Sequence, residues 1–402
     1  MAKRKKKKKT KPTTSNKTPS TGKLKVGILT SPNEESYFSN GLHQNAYNLV
    51  TLFRKSKILE PVLLYPANMH GGELKVRDIW GEKVYPLSQK GLEVNIILEV
   101  SYGIDDSLRI ALDAAGVKMV KIDYGNKLVC ELEDFAFSTF VDTRPGGGFL
   151  FGGLENPNIP KPAGAWLSPH YAFQKEYVAW RHNVAEGKIC PYVWSPDIMK
   201  KAMGKNHSAN FFKRGDERNK KIIVLEPNVN ITKTAIIPLV ICEILYRKDP
   251  ELYKAAYMFG ASKHNSGSPM TTYLISHDCV KSGKVTCEHR YKLPFILEHG
   301  QVMLHHNLYN GLNYTLLEAC HFNLPVVHNS EYMSDMGYYY EGVNVFDGAQ
   351  HLESALSHEE LSDAEIEKYN DKCKENIWTW SIDNPVNLKG YEDLIMECMD
   401  KK

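Results

Sequence analysis

The chain lacks most of what marks a membrane, secreted or metal-stapled protein. Its longest apolar runs, Ile222–Leu225 and Ala235–Ile244 with Pro238 and Glu243 inside it, fall well short of the roughly 20 residues that span a bilayer. No apolar stretch follows the basic N-terminal block, so a secretory signal is not expected. The cysteines, at positions 130, 190, 242, 279, 287, 320, 373 and 398, never approach CxxC spacing. Disulfide scaffolds and structural zinc need clustered or paired cysteines, so free thiols in a reducing compartment are expected. There is no Asp-x-Asp, no Walker loop and no GxGxxG after a strand. These gaps argue against an NTPase, a dehydrogenase or a transferase that binds a diphosphate through a metal.

Charge is unevenly spread along the chain. Residues 1–23 hold ten Lys/Arg and no acid, whereas the remaining 379 residues carry 40 bases against 47 acids. The formal net charge of +3 therefore conceals a body at −7. A body built to grip a nucleic-acid backbone is normally basic, so affinity for polyanions or import factors is confined to the tail. That tail, with Met1 and Ala2 as its only apolar residues, cannot repay the entropy of folding and is expected to be disordered. It reads as a nuclear-import signal, a tether to acidic surfaces or a solubilising extension. The expected location is cytoplasmic and soluble, with nuclear targeting or packaging in a virion as variants.

What is present is a chain of 402 residues, 42% hydrophobic and 10% aromatic, enough for two domains with sizeable cores. LKVGILT (24–30), PVLLY (61–65), NIILEV (95–100) and VKMVKID (117–123) read as buried strands, with helices over 41–56 and Ser107–Ala115 between them. Arg144–Pro162 holds five glycines and four prolines and reads as an irregular loop. A helix around Tyr171–Arg181 and an extended CPYVWSP (190–196) close this half. Residues 197–220 are polar and lysine-rich, a linker. The alternation then restarts: strands at 221–227, 254–260, 285–289, 302–306 and 325–329, helices at Thr232–Tyr246, Leu274–Ser282, Tyr291–His299 and Asn313–Phe322. Strands alternating with helices imply right-handed βαβ units and parallel sheets. The expected division is a tail (1–23), a Rossmann-like acceptor domain (24–196), a linker (197–220), a Rossmann-like donor domain (221–375) and a helical C-terminal segment (376–402), in which Trp378 and Trp380 serve as anchors. Two doubly wound units leave a cleft between the carboxyl ends of their sheets, where ligands bind.

The most informative stretch is HHNLYNGLNYTLLEACHFNLPVVHN (305–329). It reads as strand end, glycine-bearing loop, amphipathic helix, buried strand. The helix points its N-terminus, with unpaired N–H groups, at the cleft, a natural phosphate site. Glu318, about a turn in, is placed to accept hydrogen bonds from ribose hydroxyls. Asp335–Tyr340 reads as a packed loop near the cleft rim.

This stretch resembles the GT-B glycosyltransferases, whose C-terminal domain often carries a pattern like EGFGLPLLEAMACGLPVV. Gly311, Leu317, Glu318, Ala319, Leu324, Pro325, Val326 and Val327 fall on matching positions, and Asn310 replaces the first Glu. A closer resemblance, over roughly residues 24–395, is to a bacterial and large-virus family known as a domain of unknown function with GT-B character. It rests on SNGLHQNA (39–46), PYVWSP (191–196), LEPNVNITK (225–233) and LNY–LLE (312–318), in that order. The resemblance implies a GT-B fold and a transferase acting on a nucleotide-diphosphate sugar, with a glycan, lipid or protein acceptor and no metal or other cofactor. It implies that Lys233, at a helix start, neutralises the diphosphate, with Arg290 as a second cation, since negative charge develops on that leaving group. It places His306, Asn310, Gly311, Asn313 and Glu318 at the donor and the turn at Asn40 and Gly41 near donor and acceptor. His43, Glu99 and Asp123, all at strand or turn ends, are the candidate bases, and the choice among them stays open. A nucleotide-sugar epimerase on the same frame and a non-catalytic nucleotide-sugar or glycan binder are the alternatives.

Overall fold

The computed structural model describes residues 22–38, 40–66, 74–89, 91, 93–100, 102–137, 159–204, 211–228, 230–263, 269–291 and 293–400. The basic tail up to residue 21 and most of the Arg144–Pro162 loop lie outside these residues.

The first half runs β1 (Leu24–Leu29), α1 (Gly41–Phe53), β2 (Leu59–Tyr65), β3 (Arg77–Ile79), β4 (Glu82–Pro86), β5 (Ile96–Glu99), α2 (Asp106–Ala114), β6 (Lys118–Asp123), α3 (Lys127–Phe137), β7 (Gly164–Leu167), α4 (Lys175–Arg181) and β8 (Gly187–Ile189). Helix α5 (Asp197–Met203) leads to the second half. This comprises β9 (Lys221–Val224), α6 (Ile236–Lys248), β10 (Ala255–Phe259), α7 (Pro269–Ser276), α8 (Asp278–Lys281), β11 (Val285–Glu288), α9 (Leu293–Ile296), β12 (Val302–Leu304), α10 (Tyr314–His321), β13 (Val326–His328), β14 (Tyr338–Tyr339), α11 (Val345–Leu356), α12 (Asp363–Trp380) and α13 (Pro385–Asp400).

The strands form two sheets, ordered β3-β4-β2-β1-β5-β6-β7-β8 and β11-β10-β9-β12-β13-β14. All pairs are parallel except β3–β4. The second sheet has the doubly wound order 3-2-1-4-5-6, and the first repeats it with a strand added at each edge, β3 and β8. Each sheet therefore has a switch point where the order reverses, between β1 and β5 and between β9 and β12. The central strands are apolar on both faces, as sheets covered by helices on both sides require: Val26, Ile28, Ile96–Leu98 and Ile222–Val224 are buried.

The two halves share one continuous core. A buried apolar cluster runs from Val26 and Leu49 through Trp166 and Tyr192 to Leu317, Ile223 and Met303. The first residue of α10 is pinned against the first half. The Tyr314 hydroxyl meets the Asn45 side chain and the Val193 carbonyl (2.8 Å) and accepts from Asn48 Nδ2 (3.1 Å). The chain finally crosses back. Ser381 bridges to Trp194, and the α13 residue Tyr391 places its hydroxyl 2.6 Å from that of Tyr124 and 2.8 Å from the Pro191 carbonyl.

Several local expectations change. The weak region after β2 holds the hairpin β3–β4, which turns through Trp80 and Gly81, both at positive φ. The strand before Cys190 is β8, and 190–196 is irregular apart from the Trp194 bridge. The polar linker opens with the helix α5, which buries Ile198 and Met199. Of the two C-terminal tryptophans, Trp380 packs edge-on to Tyr192, but Trp378 is 53% exposed. No helix among the described residues is long and apolar enough to cross a membrane.

Candidate active site

A cavity of about 680 Å³ opens between the two sheets, within the size range of small-molecule sites. Its second-half wall is made by Leu225, Pro227, the loop 230–233, Phe259, the segment 290–296 and the α10 entry loop. Its first-half wall comes from Phe38, the start of α1, the turn after β6 and the turn after β7.

Loop 225–235 shows how sequence builds the site. Asn228 sits at φ 52°, a left-handed conformation that asparagine tolerates. Its Nδ2 donates to the Glu226 carbonyl (2.8 Å) and its Oδ1 accepts from Ala235 N–H (2.8 Å). Thr232 Oγ1 donates to Asn230 Oδ1 (2.7 Å), and Asn230 and Lys233 bridge. The result is a tight loop that projects Lys233 into the cavity three residues before α6 begins, not at the helix start as expected. Burial lowers the Lys233 pKa and nearby Arg290 lowers it further, while Glu226 opposes both. Burial also lowers Arg290, which lines the same cavity. Two like charges converging on one space favour an anion between them.

Glu318, buried on α10, lines the same cavity, with no side-chain hydrogen bond among the described residues. Burial pushes its carboxyl up to about 7. Asn313 also lines the cavity, but its Oδ1 caps α10 by accepting from Thr315 N–H (3.0 Å). The Leu316 N–H donates to the Asn313 carbonyl (3.2 Å). The N-terminus is thus less open than the sequence suggested.

Asn310 lines the cavity as well, with its amide already engaged: Oδ1 accepts from the Tyr171 hydroxyl and Nδ2 donates to Asn307 Oδ1 (2.7 Å). Gly311 is set back, and a Cβ there would meet the Glu331 carboxylate at 2.8 Å and the Tyr332 ring at 2.9 Å, so its role is close packing. His306 is buried outside the cavity lining, with Nδ1 2.7 Å from the Tyr340 hydroxyl, and burial pushes it down to about 4.

On the first-half wall Asn40 and Gly41 line the cavity, and Asn40 Oδ1 caps α1 through Leu42 N–H (2.9 Å). The candidate bases are placed elsewhere. His43 packs among Tyr37 and Tyr102, and burial lowers it. Glu99 is buried and held by Arg109 Nη2 at 2.7 and 2.8 Å, by Lys121 Nζ at 2.5 Å and by Ile104 N–H at 3.0 Å. Asp123 lies 2.9 Å from His182 Nε2. Burial works against its charge, but His182, Lys127 and Lys121 hold its carboxyl below the usual range. None of the three lines the cavity; each serves packing or an ion pair.

The imidazole that does line the cavity is His170, in the 3-10 turn Pro169–Gln174 after β7. It is buried, its Nδ1 has no partner among the described residues, and burial together with nearby Lys233 pushes it down to about 3. The sequence hides it, because the glycine- and proline-rich stretch ahead of β7 obscures that short strand. SPH at a strand's carboxyl end was the available signal.

The family profile described as Protein of unknown function (DUF2827) matches residues 25–395. The chain belongs to this family. No curated protein sequence matches it. Among solved structures, the N-terminal domain of Candida albicans trehalose-6-phosphate phosphatase is similar at 13% identity and TM-score 0.56, over 93% of this chain and 97% of that one. An alpha,alpha-trehalose-phosphate synthase (UDP-forming) from Burkholderia xenovorans, in complex with glucose-6-phosphate, is similar at 11% identity and TM-score 0.55, over 94% and 100%. A point mutant of S. aureus TarM, in complex with fondaparinux, alpha-GlcNAc-glycerol and UDP, is similar at 15% identity and TM-score 0.49. That match takes in 76% of the DUF2827 chain and spans 55% of the TarM chain. The likeness is one of fold: two Rossmann-like sheets facing a cleft, the GT-B arrangement.

Proposed function

We propose that this DUF2827 protein is a glycosyltransferase that takes a sugar from a nucleotide-diphosphate donor. The observation that carries the reading is the convergence of Lys233, Arg290 and Glu318 on one cavity at the carboxyl ends of two Rossmann-like sheets. The two cations accept the diphosphate and stabilise it as it leaves. Glu318 accepts hydrogen bonds from the ribose hydroxyls, which favours its charged form and lowers its pKa on binding. No metal is called for in this scheme, because lysine and arginine supply the charge. Neutral His170 lines the same cavity from the other wall. The fold of a UDP-forming trehalose-phosphate synthase supports the donor class.

A non-catalytic nucleotide-sugar binder is the second reading, favoured by one feature: the amide of Asn310 is spent on Tyr171 and Asn307. The test is a melting-temperature screen with UDP-, GDP- and ADP-glucose, followed by assay of nucleoside diphosphate release. A ligand that binds only the native state raises the melting temperature. The transferase reading expects a shift with one donor and slow release of its nucleoside diphosphate. A shift without release under any acceptor supports the binder; no shift with any donor overturns both.

A further inference from the structure

Behind the second-half wall of the cavity runs a branched chain of side-chain hydrogen bonds. It starts at Glu226, buried just past β9, whose carboxylate meets the loop after β12. Oε1 accepts from His306 N–H (3.2 Å) and Oε2 from Asn307 Nδ2 (3.3 Å). His305 Nδ1 lies 2.9 Å from Oε1 without the alignment of a hydrogen bond. Asn307 Nδ2 also donates to the His306 carbonyl (2.7 Å). Its Oδ1 accepts twice, from Asn310 Nδ2 (2.7 Å) and from Asn313 Nδ2 (3.1 Å). Asn310 then carries the chain to the Tyr171 hydroxyl in the first half, and Asn313 carries it to Thr315 N–H in the first turn of α10. The backbone of Asn307 is pinned by the Asn329 side chain, which accepts from its N–H (3.0 Å) and donates to its carbonyl (2.8 Å).

The direction of each link follows from the one before it. A carboxylate and a carbonyl only accept, so the amide nitrogen of Asn307 faces Glu226 and His306 and its oxygen faces the other way. That oxygen can be met only by donors, so Asn310 and Asn313 both turn their nitrogens to it. This leaves Asn313 Oδ1 for the α10 cap and Asn310 Oδ1 for Tyr171. Asn310, Asn313 and Tyr171 line the cavity, and α10 carries Glu318, whereas Glu226 and Asn307 lie outside the lining. One buried amide therefore sets the entry to α10 and ties it to the opposite wall. Such a network holds a single arrangement, because reversing any member sets donor against donor.

We propose that Asn307 is a positioning residue for the nucleotide-sugar site: from outside the cavity it fixes the Asn313 cap of α10, and with it Glu318, in register with Tyr171 across the cleft. This rests on the donor reading above and adds to it the residue that holds the geometry of the site.

The test is titration calorimetry of UDP-, GDP- and ADP-glucose into the full chain and its variants, with amide hydrogen exchange recorded without nucleotide. Asn307→Ala changes no charge and should weaken the best-binding of the three by about tenfold. Asn310→Ala combined with Asn313→Ser, in which serine keeps an acceptor for the α10 cap, should weaken it by about tenfold as well. Adding Asn307→Ala to that pair should cost less than about twofold more, because the links it acts through are already gone. A residue that only supports the fold would give losses that multiply. Multiplied losses, or unchanged binding in Asn307→Ala, overturn the proposal. Where Asn307→Ala does not fold, Asn307→Ser, whose short hydroxyl cannot reach both amides, carries the same expectations. If none of the three nucleotides binds wild type, the donor reading falls, and exchange still tests the positioning. Asn307→Ala should then speed exchange of the Thr315 amide by about tenfold while β9 keeps its protection. Equal Thr315 rates in the two proteins overturn it.

Discussion

Glu99 and Glu318 are both buried glutamates near the carboxyl ends of the sheets, yet they have opposite surroundings. Glu99 has two cations and a backbone N–H on its oxygens. Glu318 has no side-chain partner among the described residues and looks into a cavity. A buried charge with its hydrogen bonds filled is part of the scaffold. One left open is costly unless something arrives to complete it. Sequence puts Glu99 at a strand end and Glu318 a turn into a helix, and neither position tells which carboxylate is left open; the partners do.

The largest effect that would test this contrast is on stability. Arg109→Met removes the two-point, fully buried partner of Glu99, leaving Lys121 and the Ile104 N–H on its oxygens, and should cost about 3–5 kcal/mol in urea unfolding. A cost near zero would mean that the ion pair is not structural.

Glu318→Gln should act in the other direction. With a carboxyl raised to about 7 in the folded state, the proton held in the native protein is lost from the unfolded chain above the ordinary carboxylate range. Wild type and variant should therefore match in strong acid. The variant should gain as pH rises through that interval, reaching about 3 kcal/mol above pH 7. The same variant should bind nucleotide sugar at least about tenfold more weakly, read by titration calorimetry. Stabilisation together with lost binding is the signature of a functional carboxylate.

Lys233→Met should likewise weaken nucleotide-sugar binding by about tenfold, measured in the same way, because a charge-assisted contact to the diphosphate is lost. The smallest effect belongs to His43→Gln. Since His43 packs among tyrosines away from the cavity, the change should cost about 1 kcal/mol in unfolding and leave the nucleotide-induced melting shift in place.

Much of the frame was readable because a parallel sheet writes itself as apolar runs. β1, β2, β5, β6, β9, β10 and β12 coincide with such runs, and Glu318, Lys233, Arg290, Asn40 and Asn313 do meet at one cavity. What escaped was short or carried by tertiary contact. β7 is four residues, GAWL, hidden behind prolines, and His170 went unseen with it. The hairpin β3–β4 is built of strands of three and five residues and is held by its neighbours. The commitment of His306 to Tyr340, of Asp123 to His182 and of Asn310 to Tyr171 is made by residues 34, 59 and 139 positions away, which no local pattern reveals.

The donor reading stands or falls on Glu318 as the group that holds the nucleotide. The most direct measurement is calorimetric titration of the best-binding nucleotide sugar into wild type and Glu318→Gln, at about one pH unit below and above the raised carboxyl value. The prediction is that wild-type affinity climbs with pH, with protons released on binding, while the variant binds weakly and without pH dependence across the same interval. Equal affinities in the two proteins at the higher pH, or a wild-type affinity that does not change with pH, would contradict it.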